Sequence, residues 1–348
     1  MLTVKALTFE SLCVENEMLA RHSSYEIGGS ARFYATPETV DELICLLDAC
    51  KQKGIPCEIF GYGSNILFPD EPYAEKMYIS LKRMIDCNIA ASGGEAKLFL
   101  AAGVPLSFLP LIGVLSDYES MYFTHLLPGT IGAGIYINAK CYEYQMSELL
   151  NRIYYIDIAK DSSSIQSIAV EDCSFAYKES IFQKRPWIII GADFLVPNLT
   201  RERYLIIQNL LQLYKQPYTD ITSLANFYKH FQAITEDISK EHKVVLPKRF
   251  QEIDEDRSSK RHFSYPSCGS VFKNNYKFGR PMGVVVDELG LKGKEYGGAM
   301  ISPYHGNFII NHKQAKAADV IYLIKFVQEQ VNNKHGFIPE PEVIIISE

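Results

Sequence analysis

Between residues 39 and 54 the apolar positions fall on one side of a helix, with Leu43, Leu46, Leu47 and Cys50 at i, i+3, i+4 and i+7. That period predicts an amphipathic helix. Thr39 and Glu42 stand at the spacing of a capping box, and Gly54 is placed to stop the helix. The period then shortens. CEIFG, MYISL and KLFLAAG are brief apolar runs bounded by glycine or polar turns, and each predicts a strand. Leu98 to Ser116 carries no charged residue and is about as long as a membrane span, roughly 20 residues. Gly103, Pro105, Pro110 and Gly113 interrupt it, so a buried strand, a turn and a short packed helix are expected instead.

A further strand is predicted at WIIIGADFLV, and the character of the chain changes at Pro197 and Asn198. Residues 201–262 are rich in Lys, Arg, Glu, Gln and Tyr, hold the helical pattern YLIIQNLLQLY and contain little glycine, which puts a domain boundary near residue 199. Near the end, Val320, Leu323, Ile324, Val327 and Val331 make the apolar stripe of a helix that Gly336 closes, and EVIIIS follows as a last strand. Short strands mixed with a few helices indicate an α+β or α/β chain.

Composition narrows the class. The 348 residues are 47% hydrophobic and 22% charged, the mixture of an ordinary folded protein, and the net charge of -6 argues against a partner such as nucleic acid or an anionic membrane. Eight cysteines show no C-x-x-C pair and no grouping with histidine at zinc-ligand intervals, so reduced thiols and no metal are expected. MLTVKALTFESLCVENEML has acidic residues where a secretion signal needs a basic start and an unbroken apolar core, so a cytoplasmic location is expected.

Several segments could carry chemistry. GYGSNILF leaves its strand with two glycines, Gly61 and Gly63, that let the backbone turn tightly, while Ser64, Asn65 and free amides could hold phosphate oxygens. It lacks the third glycine and following helix of a Rossmann turn, and an ordinary Gly/Asn turn is the plainer reading. LPGTIGAGIYINA offers a surface of small residues for a flat or phosphate-bearing cofactor, or simply a buried glycine turn. In YPSCGSVFKNN, Ser270 could donate a proton beside Lys273 and Asn274. Arg257 and Lys260, at i and i+3, could face an anion or solvent together; Glu340 and Glu342 share one face of a strand mouth; His305 could be a ligand or a core histidine.

Taken in order, seven segments resemble the UDP-N-acetylenolpyruvoylglucosamine reductase family: YEIGGSARFYATP (25–37), GYGSNILF (61–68), LPGTIGAGIYINA (127–139), CSFAYKESIF (173–182), YPSCGSVFKN (265–274), ELGLKGKEYGGAMISPYHGNFIIN (288–311) and EPEV (340–343). The resemblance spans nearly the whole chain. It implies an α+β fold: an FAD-binding region of the p-cresol methylhydroxylase and vanillyl-alcohol oxidase type in residues 1–199, with lobes of about 1–70 and 71–199, then an α+β substrate-binding domain in 200–348. It implies FAD held by Gly61, Gly63, Ser64, Asn65, Pro128, Gly129, Thr130, Gly132 and Asn138. NADPH is then the reductant and an enolpyruvyl nucleotide sugar the substrate, in a monomer or weak homo-oligomer with no nucleic acid or membrane partner. By position Ser270 is the proton donor, Glu342 the essential glutamate, and Tyr142, Arg257, Lys260, Lys273, Asn274 and His305 the substrate contacts.

The chain departs from the family pattern in three places. Lys178 stands where the family has arginine and keeps the charge without the planar two-point contact. Gly132-Ala133 and the run AKCYE replace paired glycines and small residues. The stretch between Phe182 and Ser270 is long, which predicts an insertion around 204–247, a helical lid or a surface excursion. These departures raise two alternatives: a related FAD oxidoreductase with another substrate, or a non-catalytic ligand-binding descendant.

Overall fold

The computed structural model describes residues 7–92, 95–160, 164–220 and 223–347. After a short helix α1 (Phe9–Leu12), a four-stranded sheet joins β1 (Val14–Met18), β2 (Ser30–Ala35), β5 (Met77–Ser80) and β3 (Cys57–Phe60), in that spatial order. β1 and β2 are antiparallel, whereas β5 lies parallel to both its neighbours. Helix α2 (Val40–Lys53) supplies the crossover between β2 and β3. Its Leu43, Leu46, Leu47 and Cys50 are buried, as the spacing predicts. Thr39 Oγ1 accepts from Glu42 N, but the Glu42 carboxylate accepts from Glu38 N, one residue before the expected partner, so only half of the capping box forms. Gly54 ends the helix at φ 66°, a left-handed conformation that costs glycine little.

A second sheet of five strands has the order β11 (Ile165–Ala169), β10 (Leu150–Asp157), β12 (Trp187–Val196), β7 (Glu95–Ala101) and β6 (Cys87–Ser92). The chain between Ala101 and Ser116 is a turn followed by the buried helix α3 (Leu109–Ser116). No helix among the described residues is long and apolar enough to cross a membrane.

The long stretch after β12 folds as α5 (Arg201–Asp220), α6 (Leu224–Glu241) and α7 (Lys248–Ser259). Residues 221–222 of the predicted insertion lie outside the described residues, as do residues 1–6 of the amino terminus. The helix pair is no surface excursion. Tyr204, Ile207, Phe227, Phe231 and Ile238 share one apolar cluster with Phe108, Leu109, Ile112 and Leu115. Phe231 meets Phe108 edge-on at 5.8 Å, and Phe227 lies 6.0 Å from Tyr62 in the first glycine turn. Burying aromatic rings at such distances contributes area plus a quadrupole term, so the pair is tied to the turn it covers.

The last region holds a sheet of β13 (Ser267–Ser270), β16 (Phe308–Asn311), β15 (Ala299–Ile301) and β14 (Glu295–Tyr296), backed by α8 (Met282–Glu288) and α9 (Ala317–His335). The predicted stripe of α9 is buried against this sheet and α8. Of EVIIIS only β17 (Ile344–Ile345) is regular strand, pairing parallel with β4 (Ile66–Leu67). Just before it, Glu342 N and Val343 N both turn to Val271 O. The carboxyl-terminal segment therefore stitches the back sheet to the first glycine turn. The whole is an α+β chain, as the sequence pattern allows.

Candidate active site

β3 runs out directly into Gly61 to Asn65. Gly63 adopts φ 74°, and a Cβ there would sit on the carbonyl oxygen of His22. A Cβ on Gly61 would collide with Thr130 Oγ1, part of the second glycine turn. The two turns lean on each other: Ser64 Oγ donates to Pro128 O at 3.0 Å, and Ser80 Oγ holds Gly61 O from behind at 2.6 Å. Gly129 adopts φ 137°, and Thr130 caps α4 (Ile131–Tyr136) through Ala133 N. Both turns thus need glycine for conformation and for close approach. A Gly63→Ala variant is expected to purify with substoichiometric flavin, checked by its flavin-to-protein absorbance ratio, because either the turn or His22 must move.

Beside the paired turns opens a cavity of about 600 Å³, within the range of small-molecule and cofactor sites. Gly61, Gly63, Ser64 and Asn65 line it, as do Pro128, Gly129, Thr130 and Gly132. The cavity reaches back past Glu58 and Ile59 to Trp187. A wall of small residues with apolar flanks leaves room for a flat ring system, so the residues present fit a flavin. Asn138 is a different matter. It is fully buried, is absent from the lining, and its amide is taken up by Ala176 O at 2.9 Å and Ser147 N at 3.0 Å. At φ 44° it is a left-handed corner that pins two loops.

The opposite wall comes from the back of the chain. Between Ser267 and Ser270 the pairing of β13 with β16 shifts register, with Gly269 at φ 71°. Such a bulge re-aims the residue after it, and Ser270 lines the cavity. Val271 O, one residue on, receives Glu342 N at 2.7 Å, while Asn65 Nδ2 donates to Glu342 O at 3.0 Å. Hydrogen bonds to the Glu342 backbone therefore bring Ser270, Glu342 and the first glycine turn together.

Lys178 enters from the loop after β11. Its Nζ pairs with Glu342 Oε1, both side chains being largely buried, and lies 3.5 Å from Lys140 O. Lys178 sits at φ 57°, and Tyr177 OH beside it accepts from Asn274 N at 3.2 Å. Burial raises Tyr177 to about 12, so this hydroxyl stays protonated at neutral pH.

The expected substrate contacts divide. Arg257, Asn274 and His305 line the cavity; Tyr142, Lys260 and Lys273 do not. Lys273 is 2.5 Å from Glu340, and Asp256 draws Lys260 at 2.5 Å and the Tyr142 hydroxyl at 3.1 Å. Sequence reasoning missed His262, Phe263, Tyr177 and Leu224 among the lining residues. Tyr177 lay in plain sight beside Lys178, whereas nothing in the pattern around His262 marks it. Burial first, then neighbouring cations, lowers His305 to about 4 and His262 to about 3, so both rings are neutral near pH 7. Among the described residues, no group of three or more His, Cys, Asp or Glu side chains could hold a metal.

Residues 261–346, which carry Ser270, Asn274, His305 and Glu342, match the model of the UDP-N-acetylenolpyruvoylglucosamine reductase carboxyl-terminal domain. The UDP-N-acetylenolpyruvoylglucosamine reductase of Treponema denticola is 33% identical over 324 residues, covering 92% of this chain and 90% of that protein. The chain belongs to the UDP-N-acetylenolpyruvoylglucosamine reductase family. The reductase of Borreliella burgdorferi is 29% identical over 339 residues, 95% of this chain and 94% of its own length. A solved UDP-N-acetylenolpyruvylglucosamine reductase from Thermus caldophilus superposes with a TM-score of 0.66 at 23% identity, covering 97% of this chain and all of that one. The chain thus has the fold of that solved reductase, with helices and strands mixed as an α+β chain. The glycine turns and Ser270 line one cavity, and Ser270 lies within the matched carboxyl-terminal domain.

Proposed function

We propose that this chain reduces UDP-N-acetylglucosamine enolpyruvate to UDP-N-acetylmuramate with NADPH through bound FAD, a step in making peptidoglycan precursor. The observation that carries this reading is the meeting of Ser270, Glu342 and Lys178 at one wall of a cavity whose other wall is two glycine turns. Residues 1–199 hold the cofactor and 200–348 the substrate, with Gly61, Gly63, Ser64, Asn65, Pro128, Gly129, Thr130 and Gly132 as the flavin cradle. The protein acts in the cytoplasm as a monomer or weak homo-oligomer, without nucleic acid or membrane as partner, in keeping with a net charge of -6.

FAD held by the two glycine turns would supply the hydride chemistry between NADPH and the enolpyruvyl methylene carbon. The protein's task is the charge that this leaves beside the substrate carboxylate. Lys178, held by Glu342, offers a cation close to that developing enolate, and a fixed charge in a partly dry site stabilises it without reorganising. Ser270 then gives its hydroxyl proton to the carbon, and a proton taken up from solvent restores the hydroxyl for the next turnover. Arg257, Asn274 and His305 orient the rest of the substrate from the cavity wall.

The absorbance spectrum of the purified protein tests the reading. Flavin bands that bleach with NADPH, and recover only when the enolpyruvyl nucleotide sugar is added under anaerobic conditions, are the expected result. A colourless protein that takes up no FAD overturns it, and bleaching without recovery by that substrate points instead to a related oxidoreductase.

A further inference from the structure

At the junction of α7 with β13 two nitrogens lack protein partners. Arg257 is 5% exposed, lines the cavity, and its Nε has no hydrogen bond; one terminal nitrogen reaches only Cys141 Sγ at 3.8 Å. His262 also lines the cavity, and its buried Nε2 has no partner either. Buried donors without partners are costly and uncommon, so their presence on a cavity wall points to a ligand that satisfies them.

The His262 ring is not loosely placed. Its backbone N donates to Arg257 O at 3.1 Å, the ring stacks on Phe308 at 4.6 Å, and the His305 ring meets it edge-on at 5.7 Å. Phe308 is the strand partner of Ser270, so this imidazole stands one side chain away from the proton donor. The charged groups facing the two rings are Arg257 and Asp256 on α7, Lys260 just past its end, and Lys292 beyond α8. The one acid, Asp256, is already engaged by Lys260 and Tyr142. The local field favours an anion.

We propose that His262, with Arg257 and His305, is a binding residue for the anionic oxygens of the enolpyruvyl nucleotide sugar, donating a hydrogen bond from Nε2. Burial, and after it crowding by cations, keeps the ring neutral, and a neutral imidazole has one N–H; an anion at Nε2 selects the tautomer that carries it there. His305 has its tautomer set in the same sense, since its Nδ1 accepts from Asn307 N at 3.2 Å. The inference rests on the reductase reading, and it names a contact that the motifs do not contain.

The test uses the flavin-loaded protein with His262→Phe and His262→Gln. Phenylalanine keeps the stacking and removes the N–H, whereas glutamine restores an N–H donor. His262→Phe is expected to raise KM for the enolpyruvyl nucleotide sugar about tenfold or more, the scale of a lost hydrogen bond to a charged group, and glutamine to recover most of it. NADPH bleaching and thermal melting stay as in the parent. The parent KM is expected to be flat between pH 6 and 8 with respect to this ring. UDP titration identifies the anion: weakened UDP binding in His262→Phe marks the diphosphate, and unchanged UDP binding with raised KM marks the carboxylate. Unchanged KM and unchanged UDP affinity overturn the assignment, as does failure of glutamine to recover a well-folded protein. A parent that NADPH does not bleach defeats the reductase reading separately, because the UDP titration needs no hydride transfer.

Discussion

A Ser270→Ala variant is expected to lose about 10²- to 10⁴-fold in turnover, the usual contribution of a positioned general acid, while NADPH still bleaches its flavin. The split follows from where the hydroxyl sits. Ser270 lies on the back wall, on the bulge set by Gly269, and takes no part in the two glycine turns that cradle the cofactor. Its pairing with Phe308 is made by backbone, so removing one oxygen leaves the strand in place. Rapid-mixing absorbance separates the half-reactions: the reductive phase is expected to match the parent and the reoxidation by substrate to slow. Parent-like reoxidation would remove Ser270 from the proton-donor role.

Much of this site was legible because its parts depend on backbone, and backbone demands leave marks in sequence. Gly61 and Gly63 read as a tight turn whose backbone could approach a ligand; the close approaches in the structure are to Thr130 and the His22 carbonyl, with the cavity beside them. The helix at 40–53 and the stripe of α9 were equally plain, since burial on one face imposes its period. Side-chain hydrogen bonding leaves no such mark. Asn138 has the donor and acceptor a cofactor contact needs, yet it turns both inward to Ala176 and Ser147. Tyr142 and Lys273 are polar residues next to the site whose partners, Asp256 and Glu340, come from other segments that the sequence could not bring near, whereas Lys260 pairs with Asp256 four residues back. The extra helices were predicted, but not their seat: it takes the aromatic pairs of Phe227 with Tyr62 and Phe231 with Phe108 to show that they buttress the cofactor turn. His262 is invisible for the same reason, being defined by the rings of Phe308 and His305 rather than by neighbours in the chain.

Lys178→Met is expected to destabilise the protein by about 3–5 kcal/mol, because it leaves the Glu342 carboxylate largely buried without its cation. The pair itself need contribute little net stability, since desolvating two ions offsets most of their attraction; breaking one half is what costs. The double variant Lys178→Met with Glu342→Gln should therefore regain part of the lost stability, as no uncompensated charge remains. Turnover should not follow. If Lys178 stabilises the developing enolate, its loss is felt whatever stands at 342, and the double variant should be as slow as the slower single one. Urea unfolding and substrate-dependent reoxidation, measured on all four proteins, separate these terms. A double variant that recovers activity along with stability would make the pair a structural device, and the cation for the enolate would have to be sought elsewhere on the wall, with Arg257 the next in reach of the cavity.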